Sequence, residues 1–236
     1  MMMEVQPNSF RRPGKTSKTT ILIADDHPLY RKSLRSVLDE EPDFHIVGEA
    51  GNGEEAVRLA DELQPAVVLM DITMPKLDGL EATRRIKASH PDISVLVLTI
   101  HSDDQHILGI LEAGAAGYLT KSVFGDEVVQ AVRGVVTGEM VLSPSVGQQL
   151  LKQAARYPTK EVPLPAGEKL STRELQIIKL AARGMSNKSI AADLGLSLRT
   201  VKGHLANIFS KLNVGSRTEA VITGLREGFL SIDDLQ

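Results

Sequence analysis

The sequence predicts a chain of two parts: an α/β unit built as (βα)5 around a doubly wound parallel sheet, then a small all-α unit of four helices. Two observations support this fold class. The first half of the 236 residues alternates short apolar runs with amphipathic stretches, and no strand pattern follows residue 170. At roughly 100–200 residues per domain, the length also favours two modest domains over a single large one.

Five apolar runs rich in Val, Ile and Leu are too short to be helices and are predicted as strands. They are Thr20–Ala24, His45–Ala50, Ala66–Met70, Ile93–Thr99 and Gly117–Leu119. Each run is followed by an amphipathic stretch with apolar residues near helical spacing. These stretches are Leu29–Glu40, Gly53–Leu63, Leu80–Ser89, Asp104–Ala113 and Gly125–Val136. Continuous apolar strands joined by helices indicate a parallel sheet covered on both faces.

The second part of the chain carries clear helix start and stop signals. Ser171 with Glu174, and Ser216 with Glu219, have capping-box spacing. Further starts are marked by Ser186 and Ser197, and helix ends by Gly184 and Gly195. The predicted helices span residues 172–183, 187–194, 198–212 and 217–227. The short turn between the second and third of them has the spacing of a helix-turn-helix.

Charge divides the chain, although its net value is only −3. Residues 21–140 carry ten Lys and Arg against 21 Asp and Glu, a balance of −11, whereas residues 169–217 carry nine against two, a balance of +7. A charge asymmetry of this kind indicates a nucleic-acid partner for the basic part. The closely spaced Pro and Gly residues of 152–168 are typical of a linker. We therefore expect a disordered tail at 1–18, a first domain at 19–138, a partly helical linker at 139–168 and a second domain at 169–236.

Composition excludes several functional classes. The chain has no cysteine, so disulfides, thiolate nucleophiles and zinc-binding cysteines are ruled out. No apolar run approaches the roughly 18 residues of a membrane helix, and the N-terminal residues lack the apolar core of a secretion signal. We expect a soluble, cytoplasmic protein that does not contact membranes.

Polar side chains converge at one edge of the predicted sheet. Five of them lie at or directly after the strand ends: Asp25, Asp26, Asp71, Thr99 and Lys121. Ligand sites in such sheets lie beyond the carboxyl ends of the strands. Three ionised carboxylates repel one another unless a cation compensates, and an all-oxygen set favours Mg²⁺, since no His or Cys set suited to zinc is evident. Any one of these residues alone would more simply be a helix cap, but together they favour a Mg²⁺ site with an aspartyl nucleophile.

The segments around this cluster resemble the receiver domain of bacterial response regulators. The resemblance covers about Thr20–Gly138 and rests on residues 21–28, 70–79, 98–99 and 117–121. It implies a flavodoxin-like fold in which Asp71 accepts a phosphoryl group from a histidine kinase. The implied Mg²⁺ ligands are Asp25, Asp26, Asp71 and the backbone carbonyl of Thr73, and the implied phosphate-pocket and switch residues are Thr99, Tyr118 and Lys121.

An enzyme of the haloacid dehalogenase type is an alternative, because those phosphatases also use an aspartate nucleophile on a similar sheet. They carry a second Asp two residues after the nucleophile as acid and base, and this chain has Thr73 there. Without a second Asp in this position, no residue is evident that could transfer protons during turnover of external substrates. A self-phosphorylating switch, not an enzyme, is therefore expected.

The third predicted helix of the basic unit has two distinct faces at about 100° per residue. Its apolar residues gather on one side, which should face the core: Leu198, Val201, Leu205, Ile208 and Leu212. The opposite side carries Arg199, Lys202, Gly203, Ala206 and Ser210. Cationic and small residues let a helix enter the major groove of DNA, although a solvated surface is the plain alternative.

This unit resembles the NarL/LuxR-type DNA-binding domain over about Lys169–Gly228. The matching motifs lie at residues 170–174, 184–191, 194–197, 200–205 and 208–212. The implied DNA-binding residues are Lys188, Arg199, Thr200, Lys202, Gly203, His204 and Asn207. Gly203 and Ala206 depart from the larger side chains that some relatives carry in base-facing positions.

We therefore expect a two-component transcription regulator with Mg²⁺ as cofactor, in which phosphorylation of Asp71 controls promoter binding. Its expected partners are a histidine kinase, double-stranded DNA and, after phosphorylation, a second copy of the chain. Activation by release of a covered recognition helix, the third helix of the basic unit, and activation by receiver pairing both stay open. The competing hypothesis is a phosphorylation-independent DNA-binding or scaffolding protein whose receiver is only an interaction module.

Overall fold

The computed structural model describes residues 18–100, 104–142, 146 and 170–235. The predicted tail, apart from Lys18, lies outside these residues, and so does most of the predicted linker. From that linker the structure describes only residues 139–142 and Val146.

The N-terminal unit is a parallel sheet in the strand order β2-β1-β3-β4-β5-β6. The strands are β1 (Thr19–Ala24), β2 (Phe44–Ala50), β3 (Val67–Asp71), β4 (Ser94–Thr99), β5 (Gly117–Thr120) and β6 (Val141–Leu142). All neighbouring strands pair in parallel. The first five confirm the prediction. The sixth comes from the segment predicted as linker, and it adds to the β5 edge of the sheet.

Among the described residues, five complete helices cover both faces of this sheet, as the apolar strands predict. They are α1 (Pro28–Asp39), α2 (Gly53–Leu63), α3 (Gly79–Ser89), α4 (Asp104–Glu112) and α5 (Asp126–Thr137). Successive strand residues point to opposite faces, so Leu22 and Val68 pack with α2, α3 and α4, whereas Ile21 and Leu69 pack with α1 and α5. The strand ends are therefore held rigidly between two apolar layers.

The C-terminal unit contains α6 (Thr172–Ala182), α7 (Asn187–Asp193), α8 (Leu198–Leu212) and α9 (Arg217–Arg226), followed by a 3₁₀ turn. Each helix begins at the serine that the sequence predicts, and each serine accepts a backbone amide three residues later. Gly184 and Gly195 have the left-handed φ expected at helix ends. Val201, Leu205 and Ile208 are buried, but Leu198 is 45% exposed, because it starts α8 before the packed turns begin.

The two units are in contact through the start of α9. The Ser216 and Thr218 hydroxyls donate to the carbonyls of Ala115 and Ala116, at 3.5 and 3.2 Å, in the turn before β5. At the other end of α9, Arg226 pairs with Glu112 of α4 at 2.8 Å. Ile222 is buried in the same apolar cluster as α3 and α4. The C-terminal unit is thus docked on the end of α4 and the turn that leads into β5.

Candidate functional site

The carboxyl edge of the sheet brings Asp25 and Asp71 together in a buried site. Asp25 follows β1 and Asp71 ends the adjacent β3, and they are 2% and 4% exposed. Gly79 keeps the loop after β3 tight, since a Cβ atom there would lie 1.9 Å from the Asp71 carbonyl oxygen. Its amide donates to the carbonyl of Ile72 at 2.8 Å, so the first turn of α3 is fixed beside the carboxylate.

Lys121 is the counter-charge between these two carboxylates. Its Nζ lies 2.6 Å from Asp25 Oδ2 and 2.9 Å from Asp71 Oδ2. Burial raises the pKa of Asp71, and this outweighs the opposing effect of Lys121. For Lys121, burial acts to lower the pKa, but the hydrogen bonds to Asp25 and Asp71 raise it above its ordinary value. The Lys121 ammonium is therefore kept charged directly beside the Asp71 carboxylate.

Two residues that sequence reasoning did not assign complete this pocket. The ring of Tyr30 lies 4.8 Å from Lys121 Nζ, and burial, followed by Asp25 and Asp71, raises the Tyr30 pKa to about 12. His27 donates its backbone amide to Asp25 Oδ1 at 2.9 Å, and its Nδ1 is 2.7 Å from Asp26 Oδ1. Both residues closely follow the aspartate pair in the segment Asp-Asp-His-Pro-Leu-Tyr. This closeness in sequence is the signal that could have assigned them to the pocket.

The donor set fits a hard divalent cation. Ligand atoms of Asp25, Asp26, His27 and Asp71 all lie within 4.8 Å of one another. Asp26 Oδ1 is buried and has no hydrogen-bond partner among the described residues, although His27 Nδ1 lies 2.7 Å from it. Three carboxylates supply the oxygen ligands that Mg²⁺ prefers. His27 adds one ring nitrogen to the three carboxylates of this group.

The other predicted residues of the pocket surround it in different ways. Thr99 ends β4 and is fully buried, and its carbonyl accepts the Lys121 amide at 2.7 Å. Tyr118 lies within β5, and its ring is also fully buried. Thr73 is exposed in the loop between β3 and α3, two residues beyond Asp71. The structure thus groups the strand-end residues closely and leaves the Thr73 side chain outside the buried core.

The predicted DNA-binding residues lie mostly on the outer surface of α7 and α8. Six of them are exposed, namely Lys188, Arg199, Thr200, Lys202, Gly203 and Asn207, and His204 is half-buried. The Thr200 hydroxyl is 2.7 Å from the Ser197 hydroxyl and so takes part in the helix cap.

Two cations counted in the basic balance are bound to partners within the protein. Lys211 pairs with the buried Glu174 at 2.8 Å, and Arg217 is buried. The exposed positive face is therefore smaller than the sequence count of +7 suggests.

A cleft of about 410 Å³ separates α8 from the N-terminal unit. Lys202 and Ala206 line it on one side, and Asp92 and Glu139 line it on the other. Residues of the predicted recognition helix and carboxylates of the N-terminal unit therefore line the same cleft.

Comparisons with known proteins agree with this architecture. Residues 21–133 match the response regulator receiver domain, and residues 168–223 match the luxR family of bacterial regulatory proteins. The transcriptional regulatory protein DegU of Brevibacillus brevis is 38% identical over 92% of this chain and 97% of its own length. LiaR of Bacillus subtilis is 40% identical over 86% and 94% of the respective chains.

Solved structures give the same result. A LuxR-family response regulator from Aurantimonas sp. SI85-9A1 superposes with a TM-score of 0.56, at 36% identity, over 59% of this chain and 99% of its own. The receiver domain of a NarL regulator from Mycobacterium tuberculosis gives a TM-score of 0.50 at 31% identity, over 52% and 98%. The chain belongs to the NarL/LuxR family of two-component response regulators and is a transcription regulator. None of its described helices is long and apolar enough to cross a bilayer.

Replacing the counter-charge should expose the cost of the buried carboxylates. Lys121→Met is expected to lower the free energy of unfolding at pH 7 by about 3 kcal/mol, because Asp25 and Asp71 lose their shared partner. The raised Asp71 pKa should rise further, so the penalty exists where Asp71 is ionised and shrinks as the pH falls from 7 towards 5. Urea unfolding at both pH values measures it, with Lys32→Met as an exposed control. An equal loss at both pH values would contradict this reading.

Proposed function

We propose that Asp71 is the phosphoryl acceptor of this regulator and that Mg²⁺ is its cofactor. The observation that carries the proposal is the buried pair of Asp25 and Asp71 with Lys121 between them. Asp25, Asp26 and Asp71 would hold the ion together with the Thr73 carbonyl. When bound, Mg²⁺ would neutralise phosphoryl oxygens and the acidic cluster.

The chemistry at Asp71 is a displacement at phosphorus. A carboxylate oxygen of Asp71 forms the new O–P bond while the P–N bond of a phosphohistidine on the partner kinase breaks. The electron pair of that bond stays on the imidazole nitrogen, which then takes a proton from water. The Ile72 amide, 2.8 Å from Asp71 Oδ1, orients the carboxylate, and Lys121 supplies positive charge for the phosphoryl oxygens.

Thr99 and Tyr118 are proposed as the switch pair. A phosphorylated Asp71 carries nearly two negative charges and three acceptor oxygens, which draw hydroxyl and ammonium donors towards them. Thr99 stands at the end of the strand beside Asp71, and Tyr118 stands on the next strand. A shift of the Thr99 hydroxyl would change the packing around the buried ring of Tyr118.

Release of the recognition helix is the coupling that the interdomain cleft supports. Lys202 lines the cleft together with Asp92 and Glu139, and these carboxylates would repel DNA phosphates approaching this flank. Separation of the units would open the flank that carries Lys202 and Ala206. Two released copies could then bind paired half-sites. We propose that the phosphorylation-dependent homodimer forms in this way.

Phosphorylation can be tested by mass. With an acyl phosphate and Mg²⁺, the wild-type chain should gain the mass of one phosphoryl group, because Asp71 lies in the pocket that Lys121 neutralises. Asp71→Asn should gain nothing, whereas Asp78→Asn, at an exposed helix cap, should react normally. A wild-type chain that stays unmodified would favour the phosphorylation-independent alternative.

DNA contact by Lys202 can be tested through salt dependence. In the phosphorylated protein, Lys202→Ala should reduce the slope of log affinity against log salt by about 0.9, the value for one lost phosphate contact. Fluorescence anisotropy with a labelled duplex measures this slope. Arg183→Ala removes an exposed cation outside the proposed contact set and should leave it unchanged. If both variants keep the wild-type slope and affinity, Lys202 is not a DNA contact.

A further inference from the structure

We propose that β6 is a coupling strap, which ties the DNA-binding domain to the switch strand β5 and holds the two domains together until it detaches. The strap is defined here as residues 138–142, from the turn after α5 through β6. This inference rests on the proposed function, because it describes how the phosphorylation state would reach the recognition helix. It is carried by two sets of contacts that meet at the strap and by two buried polar atoms beside it that have no hydrogen-bond partner.

The first set fixes the strap to the sheet. Gly117 and Tyr118 of β5 pair in parallel with Val141 and Leu142. Val141 packs against the apolar cluster of one sheet face and Leu142 against that of the other. A Cβ atom at Gly117 would lie 2.6 Å from the Val141 carbonyl oxygen, so the absent side chain lets the strap approach. The strap is therefore paired directly with the strand that carries Tyr118.

The second set fixes the strap to the DNA-binding domain. Gly138 turns the chain out of α5 with a left-handed φ of 81°, and its carbonyl accepts from Arg217 Nη1 at 2.5 Å. The same guanidinium donates through Nη2 to Ala181 and Met185 inside the DNA-binding domain, at 2.7 and 2.6 Å. Arg217 thus joins the strap to the last turn of α6 and to the α6–α7 connection.

The third observation explains why this joint can open. Arg217 Nε and Asn187 Oδ1 are buried without hydrogen-bond partners beside Gly138. Both groups would gain water if the domains separated, and that gain would offset part of the lost Gly138 contact. The contact between the two domains is therefore only weakly favoured at this point, and a modest displacement of the strap is enough to separate them.

A wedge against the strap provides the test. In Gly134→Ala the new Cβ, inside α5, would lie 2.9 Å from Val141 Cγ2 and 3.3 Å from Glu139 Oε2, so it presses on the strap alone. Gly109→Ala is the matched control in α4, since the nearest described atom to its Cβ would be a Leu80 methyl carbon at an ordinary 3.7 Å. Hydrogen exchange at Val141 and Leu142 reports strap docking. Anisotropy with a labelled random-sequence duplex reports DNA binding by the unphosphorylated chain.

We expect faster exchange at the strap in Gly134→Ala and at least fivefold tighter DNA binding without phosphorylation, with no change in Gly109→Ala. If the Val141 side chain rotates away in Gly134→Ala and exchange at the strap stays slow, a second variant is used. Val141→Asp displaces the strap because it would bury a charge beside Gly117. A strap that exchanges freely in either variant while DNA affinity stays within twofold of wild type overturns the proposal. Failure of the proposed function would instead appear in the wild-type chain, as absence of phosphoryl transfer to Asp71.

Discussion

The structure depends on the close approach of buried carboxylates at one sheet edge. Parallel pairing of β1 with β3 places Asp25 beside Asp71, and the apolar layers on both faces keep them out of water. The cost of holding them there is met by Lys121, whose ammonium contacts both. Because one cation serves two anions, any charge added to Asp71 must redistribute Lys121 and the donors around it. That redistribution is the physical basis of a switch.

The same strands carry this change towards the DNA-binding domain. β4 and β5 end at the pocket, and the turn into β5 accepts hydrogen bonds from Ser216 and Thr218 at the start of α9. At the other side of β5, the strap leads to Arg217. The switch strand is therefore held to the DNA-binding domain at its beginning and along its edge.

Much of this architecture could be predicted from the sequence, because continuous apolar strands and serine helix starts are local signals. The positions of Asp25, Asp71, Thr99 and Lys121 followed from the rule that parallel strands end at one edge. The β6 strand of the strap could not be predicted, since its two residues show no periodicity and its place beside β5 depends on Gly117, much earlier in the chain.

Side-chain roles set by tertiary contacts were also hidden from the sequence. Arg217 and Lys211 counted as basic surface, but one is buried against carbonyls and the other pairs with Glu174. Charge counts record residue types, and only packing decides which charges face outward. Leu198 is the opposite case. Its angle on the helix predicted a core position, but it is exposed because it begins α8 before the packed turns.

A reversible lock between the domains tests the central claim most directly. A Cβ built at Gly215 lies 4.0 Å from the Lys87 Cβ, within the range of about 3.5–4.5 Å for disulfides, and the chain has no native cysteine. In Lys87→Cys/Gly215→Cys, phosphorylation should raise DNA affinity after reduction and have no effect while the disulfide is closed. Equal tightening by phosphorylation in the oxidised and reduced forms would show that domain separation is not the route from Asp71 to DNA.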